Sequence, residues 1–464
     1  MRTAYSVETV RAAERELMAR LPEGALMARA AAGLAAVCAG LLGRVYGSRV
    51  VLLVGPGDNG GDALYAGARL ARRGAAVTAV PLDPERLHPG GWAALRAAGG
   101  RLAPTVPTRA DLVLDGLVGI GGRGALRPEA AALVAAVPVG APVVAVDLPS
   151  GVDADTGEVA GPAVSADVTV TFGAHKPGVL IDPGASRAGV VRLVDIGLEL
   201  PPAPAIEVLQ HAEVAALLPT PTASSDKYRR GVVGVVAGSE QYPGAAVLAV
   251  AGALRGGAGA VRYVGPAGDA VLARYPEVLV GTGRVQAWVV GPGIGAGREA
   301  EVEKALADRD VPVLLDADGL RALDAALVRS RRAPTLLTPH AGEAAALLGT
   351  AREEVEAGRL AAVRELAGRY GATALLKGST TLVSAGGVVR VNPTGTPWLA
   401  TAGSGDVLSG LAGALLAAGR DGLDAGSLAA YLHGLAGRRA ASGAPALAHE
   451  VASALPAVWR DITA

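Results

Sequence analysis

Twice along its length this chain repeats a three-beat pattern: a short aliphatic run, a glycine-rich turn, then an alanine-rich stretch of helical spacing. Aliphatic runs bounded by turns and alternating with helices predict βαβ units, and therefore a parallel sheet between layers of helices. In the first half the predicted strands are Arg49–Val54, Ala75–Val80, Leu112–Leu114 and Pro142–Val146. In the second half they are Val232–Val236, Ala260–Val264, Ala287–Val290, Val311–Leu315, Thr335–Leu337 and Thr373–Leu376. Between the halves, Leu198 to Glu207 carries Pro201-Pro202-Ala203-Pro204 and no core periodicity, so it reads as a linker with a boundary near residue 205. Two tandem α/β domains, 1–205 and 206–464, follow from that pattern.

Composition narrows the function classes. Lys+Arg and Asp+Glu both number 43, and a net charge of zero argues against nucleic-acid binding, which needs a basic surface. The apolar runs Ala30–Gly43 and Val407–Gly419 fall short of the ~20 residues of a spanning helix, so no membrane role is expected. The charged start, Met1–Arg20, does not read as a signal peptide. The only cysteine, Cys38, excludes an internal disulfide and a cysteine-based metal cluster. A cytoplasmic enzyme with small-molecule partners is expected, as a homo-oligomer. Arginine so outnumbers lysine that Lys176, Lys227, Lys304 and Lys377 are the only lysines, and Asn59 and Asn392 the only asparagines. All but Lys304 fall within or beside glycine turns and motif loops.

The strand Arg49–Val54 runs into Gly55-Pro56-Gly57-Asp58-Asn59-Gly60-Gly61-Asp62, with a helical pattern from Ala63 to Arg73. Glycines let a backbone approach an anion, and a helix N-terminus offers unpaired N–H groups and a positive dipole end. The spacing is not G-x-G-x-x-G, so the turn is no standard dinucleotide fingerprint. The third strand leads into Asp115 and then Gly119-Ile120-Gly121-Gly122-Arg123-Gly124-Ala125, and the fourth into Asp147-Leu148-Pro149-Ser150-Gly151-Val152-Asp153. Ligands bind outside the carboxyl ends of strands in an open α/β sheet, so these three loops are expected to converge on one crevice. Asn59, Asp115, Asp147 and Ser150 would then supply hard oxygen donors, which suit an alkali or alkaline-earth cation. Asp58 and Asp153 read more simply as turn or helix caps. Together the three motifs resemble the NAD(P)H-hydrate epimerase family, the amino-terminal YjeF-type domain. The resemblance covers about residues 1 to 205. It implies a Rossmann-like three-layer domain that interconverts the R and S forms of hydrated NADH and NADPH. It also implies potassium held by Asn59, Asp115 and Ser150, substrate on Asp58–Asp62, Gly119–Ala125 and Asp147, and Asp147 as a catalytic residue. The chain departs from the family at Asp58, usually asparagine, and Ala63, usually glycine.

In the second half Thr401-Ala402-Gly403-Ser404-Gly405-Asp406 precedes an apolar run, Val407–Ala418, with helical spacing. Glycines before a helix again make an anion hole, and Asp406 stands where it could take a proton from a hydroxyl, the arrangement of a small-molecule kinase. Upstream, Lys377-Gly378-Ser379-Thr380-Thr381 ends a strand with a cation and hydroxyls suited to phosphate or ribose. Asp316-Ala317-Asp318, Thr338-Pro339-His340-Ala341-Gly342-Glu343 and Gly291–Gly295 end others, and His340 is expected to touch substrate. With Tyr242–Ala245, these pieces resemble the NAD(P)H-hydrate dehydratase family, the carboxyl-terminal YjeF-type domain, over about residues 210 to 464. The resemblance implies a ribokinase-like three-layer fold that removes water from the S hydrate while consuming ADP, with Mg2+. It places the adenine nucleotide on Lys377, Gly378, Ser379, Thr380, Thr381 and Gly405. The hydrate falls on Ala245, Gly293, His340 and Asp406, with Asp406 catalytic.

The two resemblances interlock, because a dehydratase specific for one epimer needs an epimerase to clear the other. Two alternatives remain from the residues alone: a small-alcohol kinase fused to a binding domain, and an amino half acting only as a nucleotide sensor.

Overall fold

The structure is a computed structural model and describes residues 1–321 and 323–464. It divides into two compact units, Thr3–Ile206 and Glu207–Ala464, the latter grouped with Met1 and Arg2.

The first unit is built on a seven-stranded sheet. Its strands are β1 (Arg49–Val54), β2 (Ala76–Pro81), β3 (Arg101–Leu102), β4 (Leu112–Gly116), β5 (Val143–Val146), β6 (Val168–Phe172) and β7 (Val190–Val194). They lie in the order β3-β2-β1-β4-β5-β6-β7, with every neighbouring pair parallel. Val50 to Val54 are at most 1% exposed, as a central strand covered on both faces requires. The order reverses between β1 and β4, so a crevice opens at their carboxyl ends. Helices α1 (Val7–Met18), α2 (Ala25–Leu42), α3 (Asp58–Arg72), α4 (Pro89–Ala97) and α5 (Pro128–Ala135) complete the parts used below.

Two details differ from the sequence reading. Helix α3 begins at Asp58, five residues before the apolar pattern, with Gly57 as its extended N-cap. Gly60 and Gly61 therefore sit inside its first turn, and a Cβ at Gly60 would fall 2.1 Å from the Gly55 carbonyl oxygen. Helix α2 spans 18 residues, longer than the apolar run suggested, and is apolar enough by length and composition to cross a membrane. It buries Ala30, Ala31, Leu34, Ala35, Cys38 and Ala39 in the core of this unit.

The second unit carries β8 (Ile206–Val208, straddling the division), β9 (Val232–Val236), β10 (Ala260–Tyr263), β11 (Leu279–Val280) and β12 (Ala287–Val290). After these come β13 (Val313–Leu315), β14 (Thr335–Leu337), β15 (Thr373–Leu376), β16 (Thr381–Ala385) and β17 (Val388–Asn392). The hydrogen-bonded order is β8-β17-β16-β15-β14-β13-β12-β9-β10-β11. Pairing is parallel from β15 through to β11, whereas β16 pairs antiparallel with both β15 and β17. The stretch read as a linker thus already contributes β8, with Ile206 fully buried. Of its helices, α6 (Pro243–Arg255), α7 (Ala341–Leu348), α8 (Arg359–Tyr370), α9 (Ser404–Ala417), α10 (Gly422–Ala441) and α11 (Ala448–Thr463) matter here. Helices α6 and α9 meet backbone to backbone. A Cβ at Gly410 would lie 1.9 Å from the Ala249 carbonyl oxygen, and one at Gly252 would lie 2.1 Å from that of Val407.

Candidate active sites

In the first unit a cavity of about 1460 Å³ opens at the carboxyl ends of β1, β4 and β5. Its lining includes Asp58, Asn59 and Asp62 from α3, residues Gly119 to Ala125, and Asp147. The three sequence loops therefore do converge. Asp115, at the end of β4, is fully buried and accepts from the Ser150 backbone N–H at 2.8 Å and the Ser150 hydroxyl at 2.7 Å. The Val118 N–H donates to that same hydroxyl oxygen at 2.9 Å. Asn59 packs against the next turn, where a Cβ at Gly119 would lie 3.3 Å from its Oδ1. Among the described residues no basic side chain pairs with Asp115. Burial pushes its carboxyl up to about 6, against the pull of its hydrogen bonds to Ser150 and the Leu117 N–H. A buried carboxylate in that position, beside an asparagine and a serine, is a donor set that a monovalent cation would satisfy.

Asp147 is held differently. Its backbone lies in the left-handed region at φ 67°, strained for a residue with a Cβ. Its Oδ1 accepts from Lys176 Nζ at 2.5 Å, Thr171 Oγ1 at 3.0 Å and the Phe172 N–H at 3.1 Å. Lys176, 1% exposed, also donates to the Phe172 carbonyl at 3.0 Å. It was singled out in the sequence only by the scarcity of lysine. Asp62 and Glu14 share the cavity wall, and burial raises both carboxyls, Asp62 the further. Asp58 is the first residue of α3, after the N-cap Gly57, whereas Asp153 closes a turn, accepting from the N–H groups of Asp155 and Thr156. Ala63 is helical and fully buried, its methyl lying where a Cβ at Gly116 would come within 2.7 Å, so the departure from glycine is accommodated by a glycine opposite.

In the second unit the site gathers at the carboxyl ends of β13, β14 and β15 and at the start of α9. Asp316, following β13 and 1% exposed, accepts from Lys377 Nζ at 2.7 Å and from Ser409 Oγ at 2.6 Å. Glu343 lies 3.6 Å from the same ammonium. A Cβ at Gly405 would stand 3.5 Å from Lys377 Nζ, so the cation faces the glycine-led helix terminus. Asp406 is the third residue of α9, whose N-cap is Gly403. Burial, reinforced by Asp316 and opposed by Lys377, raises its carboxyl to about 7, where a general base works best.

His433, given no role from sequence, is fully buried and kept neutral by that burial, its pKa lowered to about 4. Its Nε2–H donates to the Ser404 carbonyl at 2.9 Å and so braces the first residue of α9. His340 is the N-cap of α7: its Nδ1 accepts from the N–H groups of Gly342 and Glu343, placing the proton on Nε2, 3.4 Å from Glu343 Oε1. Ala245 and Gly293 face each other, a Cβ at Gly293 falling 2.6 Å from that of Ala245. The Lys377–Thr381 turn is more occupied than its sequence suggested. Thr381 donates within the turn to Gly378, while buried Arg359 on α8 donates to the carbonyls of Leu376, Lys377 and Thr380.

Two α/β units, one with carboxylates around a large crevice and one with an aspartate beside a cation and a helix terminus, define a two-centre enzyme. Residues 23–178 match the family described as YjeF-related protein N-terminus, and residues 233–457 match NAD(P)H-hydrate dehydratase. The bifunctional NAD(P)H-hydrate repair enzyme Nnr of Mycobacterium leprae is 52% identical over 93% of both chains. The ADP/ATP-dependent NAD(P)H-hydrate dehydratase of Bacillus subtilis, co-crystallized with ATP/Mg2+, is 30% identical with a TM-score of 0.52, over 55% of this chain and 98% of that one. A ribokinase-like superfamily protein of Enterococcus faecalis shares the fold, at 24% identity and TM-score 0.51 over 57% of this chain and 99% of that one. This chain belongs to the bifunctional NAD(P)H-hydrate repair enzymes.

Proposed function

We propose that the first unit interconverts the R and S hydrates of NADH and NADPH, and that the second dehydrates the S hydrate at the expense of ADP. The observation that carries the reading is Asp406: a half-buried aspartate with a carboxyl near 7, one turn into a glycine-led helix, beside Lys377. Asp406 takes the proton of the ring hydroxyl as that oxygen attacks the terminal phosphorus of ADP, and AMP departs. The phosphate then leaves the ring carbon, the neighbouring carbon gives up a proton, and the ring double bond forms. Hydroxide is a poor leaving group and phosphate a good one, which explains a dehydration on a kinase fold.

Lys377, Gly405 and the turn to Thr381 would hold the nucleotide, with Lys377 countering charge that builds on the transferred phosphate. Ala245, Gly293 and His340 would seat the hydrate. Magnesium travels with nucleotide phosphates and needs only one or two protein carboxylates, a part Glu343 can fill; it would neutralise phosphate charge. In the first unit Asn59, Asp115 and Ser150 would hold potassium, whose charge would fix the Gly119 turn and draw the dinucleotide's phosphates toward the Asp58–Asp62 and Gly119–Ala125 loops. A cytoplasmic location and a homo-oligomeric state belong to the same reading, the latter open to sedimentation. Incubation with a mixed hydrate of NADH and ADP tests the whole: reduced-nicotinamide absorbance should return completely. A stable phosphorylated product would mean a plain kinase, and a residue of R hydrate would mean an inert first unit.

A further inference from the structure

We propose that Asp62 is the acid of the epimerase centre, working on one bound hydrate against Asp147 as the base; this rests on the epimerase reading above. Water adds to a reduced nicotinamide at the ring carbon bonded to nitrogen, because the enamine is protonated on the next carbon. The hydrate is therefore a hemiaminal. Inverting that carbon requires one of its bonds to open and to close again on the other face, with a proton taken from one side and given on the other.

The cavity presents two carboxyl groups in opposite circumstances. Asp147 accepts three hydrogen bonds through Oδ1, one of them charge-assisted, from the ammonium of Lys176. Asp62, one turn into α3, has its Oδ1 buried without a hydrogen-bond partner among the described residues, on a side chain that lines the same cavity. Ionising such a group is costly, and the charges of Asp147, Asp58 and Glu14 press the same way; against the opposing charge of Lys176 the balance favours a retained proton. One carboxyl ringed by donors and one buried without a partner divide naturally into a base and an acid.

The step balances. The hydroxyl proton passes to Asp147 while the oxygen's electron pair forms a C=O bond. The C–N electrons move to the ring nitrogen, which takes the proton of Asp62. The open aldehyde turns about its bond to the neighbouring carbon, the nitrogen attacks the opposite face, and both protons return. Nothing is oxidised or reduced.

The test uses the full chain without ADP, following pure R hydrate to the R/S mixture by chromatography. Asp62→Asn is expected to lower kcat for epimerisation about 100-fold or more, to shift KM less, and to erase the fall of wild-type kcat at high pH. Asp62→Glu, which keeps the acid, should recover at least tenfold over Asp62→Asn. Dehydration of pure S hydrate with ADP, measured in the same preparations, reports that the variants are folded. The proposal is overturned if Asp62→Asn stays within fivefold of wild type, if Asp62→Glu is no better than Asp62→Asn, or if Glu14→Gln is what removes the high-pH limb. Wild-type protein that leaves the R hydrate unchanged overturns the epimerase reading itself.

Discussion

Each unit contains a lysine–aspartate pair at the end of its sheet, and the two pairs are inverted. In the first the lysine is the hidden partner, with side-chain exposures of 1% for Lys176 and 11% for Asp147. In the second the aspartate is hidden, with 1% for Asp316 and 19% for Lys377. The member that reaches the site would set its chemistry under the proposed function: a carboxylate for moving protons in one, a cation for holding phosphate in the other. The buried member supplies the charge that holds its partner in place.

The most severe break in this comparison is Asp406→Asn, which keeps shape and removes the base. Dehydration should fall about 10²–10⁴-fold while the R/S interconversion continues; a dehydratase that keeps most of its rate would take Asp406 out of the mechanism. The mirror experiment is Asp115→Ala. Epimerisation should drop about 10–100-fold, by analogy with loss of a group that holds a catalytic site in shape, and pure S hydrate should still be dehydrated. Loss of both activities in folded protein would point to a shared site. If epimerisation is indifferent to exchanging potassium for a large organic cation, the assignment of Asn59, Asp115 and Ser150 as ligands fails.

The inversion also predicts unequal costs when the cations are removed. Lys377→Met leaves Asp316 buried with Ser409 alone and should destabilise its unit by about 3–5 kcal/mol, the usual result of breaking a buried pair. Lys176→Met should cost less, since Asp147 opens on the cavity and can be hydrated. Urea unfolding of both variants checks the order, and equal shifts would deny the contrast.

Much of this was readable in the chain beforehand. Strands β1, β9, β12, β14 and β15 fall where their aliphatic runs predicted, because a strand buried on both faces is written as an unbroken run. Strand β6, Val168-Thr169-Val170-Thr171-Phe172, escaped because its threonines mimic a polar face. Both are fully buried instead, their hydroxyls donating to Ala188 and to Asp147. The loops carrying Asn59, Asp115 and Asp147 were legible from glycines at strand ends, and Asp406 from glycines that lead into a helix. Lys176, Asp62's isolation, the Asp316–Ser409 support and His433 were not, since each depends on which distant groups meet it after folding.

A gentler test of the second site is pH. As the proposed base, Asp406 must be ionised to act, so kcat/KM for dehydration should fall about tenfold per unit below about pH 7, with burial and then Asp316 holding the value up and Lys377 holding it down. Asp316→Asn should move that limb toward lower pH. The smallest expected effect is nucleotide choice. The absence of a Walker-type cradle permits ADP without demanding it, and the resemblance to ADP-consuming dehydratases is the reason ADP should give the higher kcat/KM. A tenfold preference for ATP, about 1.4 kcal/mol in transition-state binding, would reverse that expectation.

The glycine contacts between α6 and α9 carry a consequence for how this enzyme can change over time. Side chains in a core can be exchanged for others of similar volume, and a helix seated on them shifts a little with each exchange. At Gly252 and Gly410 the helices rest on carbonyl oxygens, which no substitution alters. The depth of the helix that aims Asp406 is thereby set by atoms every amino acid shares. Drift in the surrounding aliphatic residues should leave the aim intact, and a single methyl at either glycine should spoil it.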